Sequence, residues 1–147
     1  MLGSDHAGFR LKEHVKAFLE KEGFEYEDIG TFDEKKSCDY PETALKLAKK
    51  VIEQASKGIL MCGTGIGEAI VANKVKGIRA ANCFDKHTAR MSREHNDSNI
   101  LCLGARILSK EIASKIVKTW LATEFSKEER HKRRVNQIKE IEEKLCN

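Results

Sequence analysis

Gly58-Ile59-Leu60-Met61-Cys62-Gly63-Thr64-Gly65-Ile66-Gly67-Glu68 runs from an apolar stretch into a glycine-rich turn and then into a helical pattern. Ile59 to Cys62 offers no polar alternation, which is how a strand covered on both faces of a parallel sheet reads. The glycines let backbone N–H groups converge at the strand's end, and the following helix begins at about Glu68. A strand, a tight turn and a helix in that order form half of a βαβ unit.

The same alternation extends in both directions. Leu2-Gly3 is the stump of a first strand, followed by a helix from Phe9 to about Glu22 whose faces are set by Val15, Phe18 and Leu19. Gly23 ends that helix, and Tyr26 to Ile29 reads as a second strand. Pro41 suits the first turn of a helix reaching about Ala55, with Leu45, Ala48, Val51 and Ile52 as its stripe. Downstream, Ile78 to Phe84 and Asn99 to Leu103 are strands. Asp85 caps a helix to about Glu94, and Ser109 caps one through Trp120. A last helix starts at Ser126, where Ser126-x-x-Glu129 has the capping-box pattern, and its stripe is Val135, Ile138, Ile141 and Leu145. The expectation is therefore one α/β domain over 1–147, a Rossmann-like parallel sheet of about five strands flanked by helices. Strand order is not readable from the sequence.

In such sheets, ligands bind beyond the carboxyl ends of the strands. Those ends carry Ser4-Asp5-His6, Gly30-Thr31, Cys62 to Gly65, Asp85-Lys86-His87 and Gly104-Ala105-Arg106. The glycine turn is not a P-loop, because no Lys-Ser/Thr pair follows it. It is not a dinucleotide fingerprint either: counted from Gly63 the third glycine falls on Glu68, and counted from Gly65 it falls on Ile70. What remains is a set of N–H groups with a thiol at its entrance. A cysteine before a helix N-terminus can have its pKa lowered, although a free cysteine ending a strand is also an ordinary small core residue.

Bulk properties narrow the classes. The 147 residues carry a net charge of +4 and are 40% hydrophobic. No run approaches the roughly 20 apolar residues that span a bilayer. The start, Met1 to His6, meets a charge at once, so no signal peptide is expected. The five cysteines, Cys38, Cys62, Cys83, Cys102 and Cys146, are odd in number and lack metal-ligand spacing. That argues against a disulfide framework or zinc site and for a reducing, cytoplasmic setting. The basic run Arg130-His131-Lys132-Arg133-Arg134 suggests an anionic partner.

Taken together, Ser4-Asp5-His6-Ala7-Gly8, Asp39-Tyr40-Pro41, Cys62 to Gly67, Ala72-Asn73-Lys74, Gly77 to Ala80, Ser92 to Asp97, Gly104-Ala105-Arg106 and Arg130 to Val135 resemble the type B ribose-5-phosphate isomerase family. The order and spacing hold over nearly the whole chain. That family includes galactose-6-phosphate isomerases. The resemblance implies a small-molecule sugar phosphate as partner, no cofactor, no metal, no nucleic acid, no membrane, and homodimers or tetramers whose sites draw on two subunits. It implies the interconversion of an aldose and a ketose through an enediolate.

By that resemblance, Cys62 is the base, Gly63, Gly65, Ile66 and Gly67 form the oxyanion nest with Thr64 beside them, and His95 opens the sugar ring. Asp5 and Asn96 resemble sugar-hydroxyl contacts. His6, Arg106, Arg130 and Arg134 resemble a phosphate clamp, with Lys132 and Arg133 on the solvated side, and Tyr40 lines the sugar pocket. The first strand is shorter than usual for the family. Glu68 stands where some relatives lacking the cysteine carry a glutamate base, and it competes with Cys62 for that role. It is also the kind of acidic first-turn residue that helices favour. A nucleic-acid-binding helix would explain Arg130 to Arg134 but not the Cys62 turn. A receiver domain would need an aspartate where Cys62 stands. A non-catalytic sugar-phosphate-binding protein would keep the same residues.

Overall fold

A computed structural model describes residues 1–145; Cys146 and Asn147 lie outside the described residues. A parallel sheet is built from β1 (Leu2–Ser4), β2 (Gly58–Cys62), β3 (Ala80–Asn82) and β4 (Ile100–Gly104), in the order β1-β2-β4-β3. The strands alternate with α1 (Phe9–Lys21), α2 (Tyr40–Glu53), α3 (Ile66–Ala72), α4 (Lys86–Asn96), α5 (Lys110–Ala122) and α6 (Glu129–Leu145).

Side-chain alternation along the central strands divides the core into two layers. Ile59, Met61, Leu101 and Leu103 face one side, where Leu11, Val15, Ile116 and Trp120 of α1 and α5 cover them. Leu60, Ile100 and Cys102 face the other, against Leu47, Ala48 and Val51 of α2. β2 and β4 are buried along their whole length. Their unbroken apolar character follows from that double cover.

The sheet has four strands rather than the expected five. Residues 27–31 do run beside β1, with Leu2 N–H to Glu27 O, Ile29 N–H to Leu2 O and Ser4 N–H to Gly30 O, but they make one isolated bridge, Leu2 to Asp28. The cause is polar. Asp28 turns its carboxylate to the buried Lys12 ammonium and to the Gly30 N–H, and Gly30 then leaves the extended region at φ 110°. β3, read from Ile78 to Phe84, shrinks to three residues at the sheet's edge.

The caps at Asp85 and Ser109 form: Asp85 accepts from the Thr88 N–H, and Ser109 from the Ile112 N–H. The one at Ser126 does not. Lys127 is left-handed at φ 57°, so the helix starts at Glu129, and the Ser126 hydroxyl meets the Glu128 N–H and the His131 ring instead. Of the expected α6 stripe only Val135 is buried; Ile138, Ile141 and Leu145 become progressively more exposed. Among the described residues, no helix is long and apolar enough to cross a membrane.

Candidate active site

β2 delivers Cys62 to the sheet's carboxyl edge, where the chain must turn sharply beside the end of β4. Gly65 makes that turn at φ 80°, a left-handed conformation that side chains avoid. The turn aims the Gly65 N–H at the Cys62 sulfur, 3.1 Å away. Gly104 lets the loop lie flat, since a Cβ there would sit 2.7 Å from the Thr64 carbonyl oxygen. The Asn82 side-chain amide donates to that same oxygen over 3.4 Å from the edge strand. Thr64 is exposed at the rim.

Two carboxyl groups share this buried end with the thiol. Glu68, on the first turn of α3, is wholly buried, and neither of its oxygens has a hydrogen-bond partner among the described residues. Asp5 is buried as well and accepts the Gly8 N–H at 2.8 Å. Burial first, and then the Asp5 charge, raise the Glu68 carboxyl well above its ordinary value, against a smaller pull from the Cys62 thiol. The Cys62 thiol is itself raised, by burial and then by Glu68, against the lowering N–H groups of Thr64 and Gly65. The expected thiolate-favouring turn is therefore overruled: α3 has only seven residues, and desolvation beside acids outweighs its N-terminus.

The anion-binding side is built next to this turn. The Arg106 guanidinium lies beside Gly63, where an added Cβ would be 3.4 Å from Nη1, and the Arg106 N–H donates to the Gly63 carbonyl at 3.0 Å. His6 is half-buried, with Nδ1 3.3 Å from both the carbonyl oxygen and the nitrogen of Cys38. Tyr40 opens α2, and its ring lies on Gly67, 2.7 Å from where a Cβ would be. Asp5, His6, Tyr40, Cys62 to Gly67, Glu68 and Arg106 thus gather at one edge.

The remaining expected residues do not join them within the chain. α4 starts after β3 at the carboxyl edge and runs back along the sheet, so His95 and Asn96, in its last turn, lie at the opposite edge, just before β4 begins. α5 returns the same way, and α6 then starts beside the end of α4, with the Ser126 N–H donating to the Glu94 carbonyl at 3.1 Å. Arg130 and Arg134 share a face of α6 here and are exposed. Arg130 pairs with Glu128 at 2.8 Å. A cavity of about 590 Å³ opens between α6 and the α3–β3–α4 surface, lined by Asn96, Arg79, Ile138 and Ile141 among others.

The sequence alone assigned no role in the site to His131, Ser126, Asn82 or Cys38. His131 hides in a basic run, yet it lies four residues before Val135 on the buried stripe of α6, which is the signal that would have found it. Asn82 has no such signal, because its role comes from the register that sets it beside Cys102. Chemically, the first edge offers a thiol, a buried carboxyl group that burial makes harder to ionise, converging N–H groups and a guanidinium. That set suits proton transfer next to a carbonyl on an anionic substrate. Among the described residues, no cluster of His, Cys, Asp or Glu is arranged to hold a metal ion.

The sequence profile of a family described as Ribose/Galactose Isomerase matches residues 1–138. The chain is 42% identical over 143 residues to the ribose-5-phosphate isomerase B of Escherichia coli (strain K12), covering 97% of this chain and 95% of that one. Among solved structures, it superposes on the ribose-5-phosphate isomerase B of Clostridium thermocellum with a TM-score of 0.94 at 50% identity, over 98% of this chain and 97% of the other. It also superposes on the Mycoplasma genitalium ribose-5-phosphate isomerase B with bound ribulose-5-phosphate, with a TM-score of 0.92 at 37% identity, over 97% and 94% of the two chains.

Proposed function

This chain belongs to the ribose/galactose isomerase family, and from that premise we propose that it interconverts ribose 5-phosphate and ribulose 5-phosphate. The observation that carries the reading is the buried Cys62 thiol, held by the Gly65 N–H beside the buried Glu68 carboxyl, whose oxygens have no hydrogen-bond partner among the described residues, at the sheet's carboxyl edge. The reaction moves one proton from C2 to C1 and another from O2 to O1.

We assign the carbon proton to Cys62. Thiol and carboxyl are coupled, so catalysis starts from the pair with one proton removed. The sulfur then takes the C2 proton as the charge passes to O1, which faces the loop N–H groups; the O2 proton crosses to O1 within the enediolate, and the sulfur returns its proton to C1 as the C2 carbonyl forms. Thr64 stands at the rim beside O1. Ring opening precedes these steps. The His95 imidazole takes the O1 proton as the C1–O4 bond breaks and returns it to O4, leaving the proton count unchanged. Asp5, Asn96 and Tyr40 hold the sugar hydroxyls. His6, Arg106, Arg130 and Arg134 take the phosphate, supplying binding energy away from the reacting carbons.

His95, Asn96, Arg130 and Arg134 lie at the edge remote from their own Cys62, so a complete site needs a second copy. We propose a homodimer with two shared sites, and the exposed stripe Ile138, Ile141 and Leu145 of α6 supports an apolar contact with the partner. The cytoplasm is the compartment that the four free cysteines of the described residues support. The test is direct: purified protein given ribose 5-phosphate should form ribulose 5-phosphate, with turnover surviving exhaustive EDTA. Galactose 6-phosphate run in parallel measures preference. No turnover of ribose 5-phosphate would refute the assignment.

A further inference from the structure

His131 is among the largest fully buried side chains, and it sits in the most basic stretch of the sequence, where a solvated face would be expected. Its ring faces that of His95 with centroids 4.2 Å apart and planes inclined by 35°. Its Nδ1 shares a 2.6 Å hydrogen bond with the Ser126 hydroxyl. The Ser126 N–H in turn donates to the carbonyl of Glu94, the residue before His95, at 3.1 Å. The closed circuit Glu94–His95–His131–Ser126–Glu94 ties the end of α4 to the start of α6 at the point where His95 projects.

We propose that His131 is a positioning residue for His95: a flat, buried platform, fixed by Ser126, that holds the ring-opening imidazole in its working orientation. This rests on the reading of His95 as the ring-opening group. The platform suits an imidazole that must gain and lose a proton. The groups around His131 are His95 from α4, Arg130 and Arg134 on α6, and Glu128 in the preceding turn; burial first, then His95 and Arg130, lower its pKa below that of an ordinary histidine and so favour the uncharged ring. A neutral aromatic face stabilises a cation formed above it, so the His95 imidazolium gains a partner, whereas a second cation there would oppose it.

The experiment compares two substrates. Ribose 5-phosphate is mostly cyclic, and erythrose 4-phosphate, its C4 oxygen bearing the phosphate, cannot close a furanose ring. His131→Leu should lower kcat/KM for ribose 5-phosphate about 10–100-fold more than for erythrose 4-phosphate, the scale of a misplaced catalytic group. His131→Phe, which keeps a flat ring, should recover part of that selective loss. Ser126→Ala changes little volume and guards against a variant that fails to fold; it should show the same selectivity at about three- to tenfold, the worth of one hydrogen bond. In a His95→Asn background, His131→Leu should add no further selective loss. Equal losses on both substrates, or additive losses in the double variant, would overturn the proposal. If His95→Asn alone fails to discriminate the substrates, the underlying reading of His95 fails instead.

Discussion

The Gly65 N–H points at the Cys62 sulfur across 3.1 Å, yet that sulfur is harder to ionise than a free thiol. The hydrogen bond favours the thiolate, but burial and the neighbouring Glu68 favour the thiol, and they prevail. The arrangement therefore holds the proton on the pair until the site is used, and aims the sulfur without leaving it charged.

If Cys62 carries the carbon proton, Cys62→Ala should lower kcat by about 10²–10⁴-fold, the usual worth of a placed acid–base group. Phosphate affinity should change little, because Arg106 and His6 remain. Iodoacetamide alkylation should accelerate as pH passes 9, since burial raises the thiol above its ordinary 9.0. The roles of the two residues must be exchanged if Glu68→Gln stops C2 proton exchange with solvent while Cys62→Ala retains it.

Glu68 makes stability depend on pH in a defined direction. Its carboxyl ionises near 4.5 when exposed and well above that in the fold. Below 4.5 it is protonated in both states and costs nothing. As pH rises, the unfolded chain releases the proton first, so the folded state loses stability until its own carboxyl ionises. Glutamine cannot ionise. The Tm difference between Glu68→Gln and the parent protein should therefore grow in favour of the variant from about pH 4.5 toward neutrality. A difference that stays flat with pH would mean that Glu68 is charged in the fold.

Sites shared between subunits can be complemented. Cys62→Ala and Arg134→Ala homodimers should each be nearly inactive. After subunit exchange, a hybrid dimer has one site with both residues intact and one with neither, so random mixing should restore about a quarter of the sites. Confirmed exchange with no recovery would place both residues in the same subunit's site.

The sequence made the central part of this architecture readable and its periphery much less so. Ile59 to Cys62 and Asn99 to Leu103 are apolar without alternation because helices cover both faces, and burial of that kind writes itself into composition. Tyr26 to Ile29 has strand-like residues, but Asp28 is committed to Lys12, a partner sixteen residues away that no local pattern predicts. The convergence of N–H groups at the Cys62 turn was legible from its glycines, whereas the sign of the thiol's pKa shift was not. That sign depends on how deeply Cys62 itself is buried and then on Glu68 lying beside it, which only packing decides. His131 was hidden because a charged neighbourhood in sequence became a buried face in space.

The two glycines flanking Thr64 should respond to alanine in opposite ways. A Cβ on Gly65 would lie 2.6 Å from the Asn82 Oδ1 and 3.0 Å from the Leu103 carbonyl carbon, with the backbone at φ 80°. The left-handed conformation alone costs about 1–3 kcal/mol, and the β4 backbone cannot move aside without disturbing the central strand. Gly65→Ala should therefore lower Tm and displace the N–H that faces the Cys62 sulfur, depressing kcat. A Cβ on Gly63 would meet only the flexible Arg106 side chain, at 3.4 Å or more. Gly63→Ala should keep its Tm but displace the guanidinium, so that KM rises with kcat less affected. Thermal melts and steady-state kinetics on both variants decide the matter. Equal Tm losses would mean that the loop is a single rigid unit, and an unchanged KM in Gly63→Ala would remove Arg106 from the phosphate clamp.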